Sequence, residues 1–192
     1  MQTPNQNYIN QIVKKALKED LSPLGDITTK LLINKKSKAK IIAKQNGVIA
    51  GLNFCKSAFK LMGRETIFTK KIKDGKKVKK GKIVATISAK TRTILSAERT
   101  ALNFLSHASG VATLTDHFVR KSDKKTKICC TRKTTPNLRL LEKYAVKKGG
   151  GFNHRFNLSD EIMIKDNHIS AEKNLKEIIK KAIKTKKTIT DE

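Results

Sequence analysis

The sequence predicts an α+β domain over residues 1–112, followed by an α/β segment over 113–192 in which strands alternate with helices. Three observations lead there. In the first part, short strand-like and helix-like stretches succeed one another without fixed order, separated by glycine turns. From Ile128 the rhythm becomes strand, helix, strand, helix, as in a parallel sheet or barrel. A length of 192 residues also suits one large domain or two small ones with a real core.

Thr3 and Pro4 read as an N-cap and first helical residue. Ile9, Ile12, Val13, Ala16 and Leu17 keep helical spacing and carry a helix to about Glu19. Leu21 to Thr29 is a loop. Ala39, Ile41 and Ala43 alternate with lysines and predict a strand, and Asn46-Gly47 is a hairpin signal with Val48 to Ala50 as the return. A helix is expected from Asn53 to Met62, then strands at Thr66–Ile72 and Ile83–Ile87, with turns at Asp74-Gly75 and Lys80-Gly81. Ser96 is expected to cap a long helix whose face of Ala101, Leu102, Leu105, Ala108 and Ala112 is narrow and aliphatic. Beyond it come a strand at Ile128–Thr131, a helix from Thr135-Pro136 that stops at Gly149–Gly151, and a buried strand at Ile162–Ile164. A helix capped by Ser170 and a strand beginning at Thr188–Thr190 complete the reading.

The formal charge of +27 raises nucleic-acid binding as a function class. The excess is lysine, with only seven arginines among the 43 basic residues, and tryptophan is absent. Base readout and base stacking rely on arginine and aromatics, so a solvated lysine surface is expected, with no specific nucleic-acid partner. No run approaches the ~20 apolar residues that cross a bilayer, and residues 1–10 carry no signal-peptide pattern. Cys55, Cys129 and Cys130 are odd in number and lack metal-ligand spacing, which points to a reducing compartment, the cytoplasm.

Four polar clusters stand out. Arg99 lies in the first turns of the long helix. Thr131, Arg132 and Lys133 follow a strand, His154 and Arg155 follow the glycine run, and Lys165 follows Ile162–Ile164. In α/β architectures the carboxyl ends of strands face the site. Two sets of cations at neighbouring strand ends suit a substrate with several negative charges. Taken singly, each cluster has a plainer meaning: Arg132-Lys133 as a surface pair, His154 as a hydrogen-bonded structural histidine, the glycines as a helix stop or a place of close approach to a ligand. Lys165 after three apolar residues would need a partner, which Asp166 could supply.

The chain resembles quinolinate phosphoribosyltransferases. The resemblance is carried by Glu19-Asp20-Leu21, Gly25-Asp26-Ile27-Thr28-Thr29, Glu98-Arg99-Thr100-Ala101-Leu102-Asn103-Phe104-Leu105 and Ser109-Gly110-Val111-Ala112-Thr113. It continues in Thr131-Arg132-Lys133-Thr134-Thr135-Pro136, Lys143-Tyr144-Ala145-Val146, Gly149-Gly150-Gly151 with Asn153-His154-Arg155, and Ile164-Lys165-Asp166-Asn167-His168. It implies an N-terminal open-faced sandwich and the first part of an incomplete, TIM-like α/β barrel, in a homodimer with Arg99 shared across the interface. Arg132, His154 and Arg155 would hold the quinolinate carboxylates. Lys133 and Lys165, the implied catalytic residues, would serve both quinolinate and 5-phosphoribosyl 1-diphosphate, and Thr131 would be a neighbouring contact. Mg2+ would arrive with the donor, and no residue here is assigned as its ligand.

The chain departs from the family pattern in having Cys130 where an Asp is usual and Asn137 where a Gly is usual. The family also continues with a Glu-bearing strand, an Asp-bearing strand and a Ser-Gly-Gly loop that have no clear match, and Asp191 and Glu192 are left unassigned. The fold is therefore expected to continue past the C-terminal truncation at residue 192, with low activity from the chain alone. The implied reaction makes nicotinate mononucleotide, CO2 and diphosphate. The alternatives are an inactive fragment or basic binding module derived from this family, and the related molybdenum-transport-associated homologue, which would lack the arginine set.

Overall fold

The structure, a computed structural model, describes the backbone of residues 3–172 and 174–190 and the side chains through Thr185. The chain falls into two compact units, one up to His154 and one from Arg155 onward.

In the first unit, helix α1 (Gln6–Leu21) buries Ile9, Val13 and Leu17, one residue per turn, as the sequence spacing required. Its cap is Asn5, whose side chain accepts from the Tyr8 N–H at 2.8 Å, rather than Thr3. Strand β1 (Lys36–Ile42) lies beside β5 (Ile83–Lys90), and β3 (Ile67–Lys70) lies on the other side of β5, in an antiparallel sheet of order β1-β5-β3. Along β1 the lysines at 36, 38 and 40 face solvent, while Ala39 and Ile41 pack against the core. The hairpin expected at Asn46-Gly47 does not form. Strand β2 (Gly47–Val48) pairs instead with β4 (Lys77–Val78), and β1 pairs with β5 in register Lys36↔Lys90 to Ala39↔Ile87. A turn signal prescribes a reversal but not a partner; the longer alternating edge of β5 offers β1 far more ladder bonds. The turns at Gly75 and Gly81 do form, with φ of 89° and 86°, a region that glycine enters without steric cost.

Helices α2 (Leu52–Met62) and α3 (Thr91–Lys121) cross beneath the sheet. Phe54 of α2 stacks on Phe104 of α3 with centroids 5.5 Å apart. Ala97, Ala101, Ala108 and Ala112 line the buried side of α3 and let its neighbours approach closely. Each fully buried large apolar side chain contributes about 1.5–3 kcal/mol. Helix α3 starts five residues before Ser96. The Ser96 hydroxyl donates to Asp26 Oδ2 at 2.9 Å, so it fastens the Asp26 loop to the helix instead of capping it. Strand β6 (Cys129–Cys130) and strand β7 (Phe152–Asn153) are parallel neighbours, joined through helix α4 (Arg139–Lys148), whose Leu141 and Ala145 enter the same core.

The second unit contains helices α5 (Asp166–Glu172) and α6 (Leu175–Thr190). Ile162–Ile164 forms no strand, and Ile162 is exposed. Lys165 stands at the start of α5, where its carbonyl accepts from the His168 and Ile169 N–H groups. A parallel strand exists only against a neighbour, and no strand pairs with residues 161–165 among those described. Helix α6 is capped by Asn174, which accepts from the Glu177 N–H, while Ser170 lies inside α5. Residues 188–190 continue α6 rather than beginning a strand. Asp191 and Glu192 lie outside the described residues.

Candidate functional site

The pairing of β6 with β7 sets Cys129 opposite Phe152 and Cys130 opposite Asn153. Thr131 directly follows Cys130 and His154 directly follows Asn153, the last paired residues of the two strands. Thr131, Arg132, Lys133 and His154 therefore occupy adjacent strand ends. The loop after β6 is held locally. The Thr131 hydroxyl accepts from the Lys133 N–H at 3.2 Å, the Arg132 carbonyl accepts from the Thr134 N–H at 2.9 Å, and Arg139 Nε donates to the Thr134 hydroxyl at 3.1 Å. Arg132 Nε is buried and has no hydrogen-bond partner among the described residues. Lys133 is exposed.

The glycine run acts through packing. Gly151 N–H returns to the Val146 carbonyl at 3.0 Å and Gly149 N–H to the Ala145 carbonyl at 2.9 Å, which closes α4. Gly150 takes φ +88°. A Cβ at Gly149 would collide with the Ala112 carbonyl oxygen, and one at Gly151 would lie 2.7 Å from Thr115 Cγ2. The close approach seen is to helix α3. Asn137 sits at φ +64°, a left-handed position that glycine or asparagine tolerates, which accounts physically for the exchange noted there.

Two residues absent from the sequence-based candidates organise this region. Lys143 is 1% exposed, and its Nζ donates to the His154 carbonyl at 3.0 Å and to Cys130 Sγ at 3.1 Å. Its charge drew no attention because lysine on a helix usually faces water; the signal was its place between Leu141 and Ala145, the buried residues of α4. Asp74 accepts from the Gly51 and Leu52 N–H groups at the start of α2 and from the Tyr144 hydroxyl at 2.7 Å, tying α4 to α2. Burial, then the bond to Asp74 and its charge, holds the Tyr144 hydroxyl well above the ordinary tyrosine range.

Arg99 is exposed on α3 and makes no hydrogen bond or ion pair among the described residues. No hydrogen bond or ion pair among the described residues joins it to the strand-end set. Arg155 and Lys165 belong to the second unit, where Arg155 Nη1 donates to the Glu161 carbonyl at 2.9 Å. The Lys165 side chain is exposed, so it does not call for the Asp166 partner, and no ion pair joins them. Among the described residues, no group of three or more His, Cys, Asp or Glu side chains gathers to hold a metal ion. Among the described residues, no helix is long and apolar enough to cross a membrane.

Comparison with known proteins decides the family. The quinolinate phosphoribosyl transferase N-terminal domain model matches residues 26–109, and the C-terminal domain model matches residues 111–190. The chain belongs to the quinolinate phosphoribosyltransferase family. It is 42% identical over 180 residues to a probable nicotinate-nucleotide pyrophosphorylase [carboxylating] of Bacillus subtilis, covering 93% of this chain and 62% of that protein. A probable nicotinate-nucleotide pyrophosphorylase [carboxylating] of Methanocaldococcus jannaschii is 43% identical over 181 residues, covering 92% and 62%. Among solved structures, NadC from Streptococcus pyogenes superposes with a TM-score of 0.88 at 43% identity, covering 93% of this chain and 65% of that one. The nicotinate-nucleotide pyrophosphorylase from Francisella tularensis gives 0.83 at 37% identity, covering 87% and 60%. The chain thus spans about three-fifths of the length of these relatives. The two family domains meet near residue 110, whereas the compact units divide after His154. The difference has a packing cause: Leu141 and Ala145 share the core built by α1, α2 and α3.

Proposed function

We propose that this chain takes part in phosphoribosyl transfer from 5-phosphoribosyl 1-diphosphate to quinolinate with decarboxylation, giving nicotinate mononucleotide, CO2 and diphosphate. The observation that carries this reading is the pair of adjacent strand ends bearing Thr131–Lys133 and His154, with Arg132 Nε buried and without an acceptor. An unpaired buried donor costs about 1–3 kcal/mol, and a carboxylate would relieve it. The names of the relatives support the same chemistry.

In this reading Arg132, His154 and Arg155 hold the two carboxylates, and Thr131 is a neighbouring contact. Lys133 and Lys165 serve quinolinate and the donor. Arg99, exposed and unbonded, reaches the site of a second copy in a homodimer. The pyridine nitrogen attacks C1 of the ribose and diphosphate leaves. Positive charge builds on the sugar, so the protein's share is positioning and fixed electrostatics. The 2-carboxylate then departs as CO2, its bonding pair stays at C2 beside the positively charged ring nitrogen, and C2 takes up a proton from water to give the product; a lysine such as Lys165 favours the loss of CO2 by charge. Mg2+ would arrive with the donor and would neutralise its diphosphate; among the described residues no group of three or more His, Cys, Asp or Glu side chains is placed to hold it. The architecture proposed is an open-faced sandwich over 1–112 and part of an α/β barrel over 113–192. A cytoplasmic setting accords with free thiols at Cys55, Cys129 and Cys130.

The test is calorimetric titration of quinolinate into a full-length version of the protein. Arg132→Ala should cost about 1.5–3 kcal/mol, roughly 10- to 150-fold in Kd, the range for a charge-assisted hydrogen bond. Unchanged affinity in both Arg132→Ala and Arg155→Ala would remove the assignment.

A further inference from the structure

Lys143 is a fully buried lysine whose two acceptors are a thiol and a backbone carbonyl, with no carboxylate partner among the described residues. Lysine is almost never buried without a compensating charge. An apolar residue of similar length would fill the same space without that cost, so packing alone does not account for it.

Its contacts indicate what it does. The His154 carbonyl, which accepts from Nζ at 3.0 Å, belongs to the peptide plane joining His154 to Arg155. Fixing that oxygen fixes the plane and hence the Cα positions of both residues. Cys130, the second acceptor at 3.1 Å, immediately precedes Thr131-Arg132-Lys133. Two further bonds close a ring: Cys130 Sγ donates to Asn153 Oδ1 at 3.1 Å, and Asn153 Nδ2 donates to the Lys143 carbonyl at 3.1 Å. Strands β6 and β7 are only two residues long, so their own ladder determines little.

We propose that Lys143 is a positioning residue that sets the spacing between the two strand-end groups, with Cys130 and the His154 carbonyl as its anchors. This rests on the reading that the strand ends bind a pyridine dicarboxylate. A ligand with two carboxylates spans both strand ends and senses their spacing. A ligand with one carboxylate engages one end and is nearly indifferent to it. A lysine that merely supported the fold would, when replaced, scale both affinities together through the folded fraction.

The experiment measures Kd for quinolinate and for nicotinate by calorimetry on the same preparations. The wild-type chain should prefer the dicarboxylate. Lys143→Met should lower the ratio of the two affinities roughly tenfold, a fraction of the ~100-fold that a 1 Å misplacement can cost. Lys143→Arg, which keeps the donors, should recover part of it. Cys130→Ala removes one anchor and should lower the ratio by a smaller factor. An unchanged ratio in Lys143→Met overturns the proposal. If that variant does not fold, an unchanged ratio in Cys130→Ala overturns it instead. A wild-type chain with no preference for quinolinate would remove the underlying reading and this inference with it.

Discussion

Alanine at each of the three consecutive glycines after α4 should separate three physical causes that look alike in sequence. At Gly149 the added Cβ meets the Ala112 carbonyl oxygen and Thr115 Cβ, so helix α3 itself must shift. The expected cost is about 3 kcal/mol, the upper end for overpacking a core. At ~2–4 °C per kcal/mol for a chain of this size, that lowers Tm by roughly 6–12 °C. At Gly151 the Cβ meets Thr115 Cγ2 at 2.7 Å and Val146 Cγ1 at 2.8 Å, both side-chain methyls that can yield, and about 1–2 kcal/mol is expected. At Gly150 only Val119 Cγ1 lies near, at 3.7 Å, and the cost is the left-handed backbone at φ +88°, about 1 kcal/mol. Thr115→Ser deletes Cγ2 and keeps the hydroxyl bonded to the Val111 carbonyl. It should rescue Gly151→Ala in a double-mutant cycle and leave Gly149→Ala unrescued. Urea and thermal unfolding of the single and double variants measure these terms. Equal costs at all three positions, or rescue of Gly149→Ala by Thr115→Ser, would refute the packing account. A loss of quinolinate affinity larger than the loss of stability would return the glycines to the ligand.

Three further outcomes are expected. Mixing Arg99→Ala with Lys165→Ala subunits of a complete enzyme, each inactive alone, should restore some activity through dimers in which one site carries neither defect; absence of recovery after demonstrated subunit exchange would count against a shared arginine. Hydrogen bonds from Thr29, with a smaller one from Ser96, hold the Asp26 carboxyl below its usual range. A depressed folded pKa stabilises above the unfolded value of ~3.9, so the stability difference between wild type and Asp26→Asn should be present at neutral pH and vanish as acid titrates Asp26, measurable by denaturation at stepped pH. Burial, aided by the charge of Asp74, pushes the Cys55 thiol up to about 12, whereas Cys129 is exposed. Alkylation near pH 8 read by mass spectrometry should label Cys129 and spare Cys55 until denaturant is added, and early labelling of Cys55 would contradict the packing of α2.

Local signals read well where a residue's own chemistry decides. Gly75, Gly81 and Gly149 mark turns and a helix end because backbone conformation is a property of the residue itself. The buried spacing of Ile9, Val13 and Leu17 places a helix for the same reason. Strand partners did not read well. Asn46-Gly47 promised a hairpin and Ile162–Ile164 a buried strand, yet a strand is defined by a neighbour that the segment does not encode. Ser96 looked like a cap until Asp26, seventy residues earlier, claimed its hydroxyl.

The same division holds at the candidate site. The amino-acid order by itself placed Thr131, Arg132 and Lys133 after a strand, because a short apolar run is a local pattern, but placed His154 only after a glycine run and gave no sign of the strand at Phe152–Asn153. Only the tertiary structure made β6 and β7 neighbours and set Lys143 beneath their ends. A lysine's burial depends on what the rest of the chain builds around it, and the pairing of two-residue strands depends on α4 and α3 holding them together; neither is a property of the segment in which the residues stand.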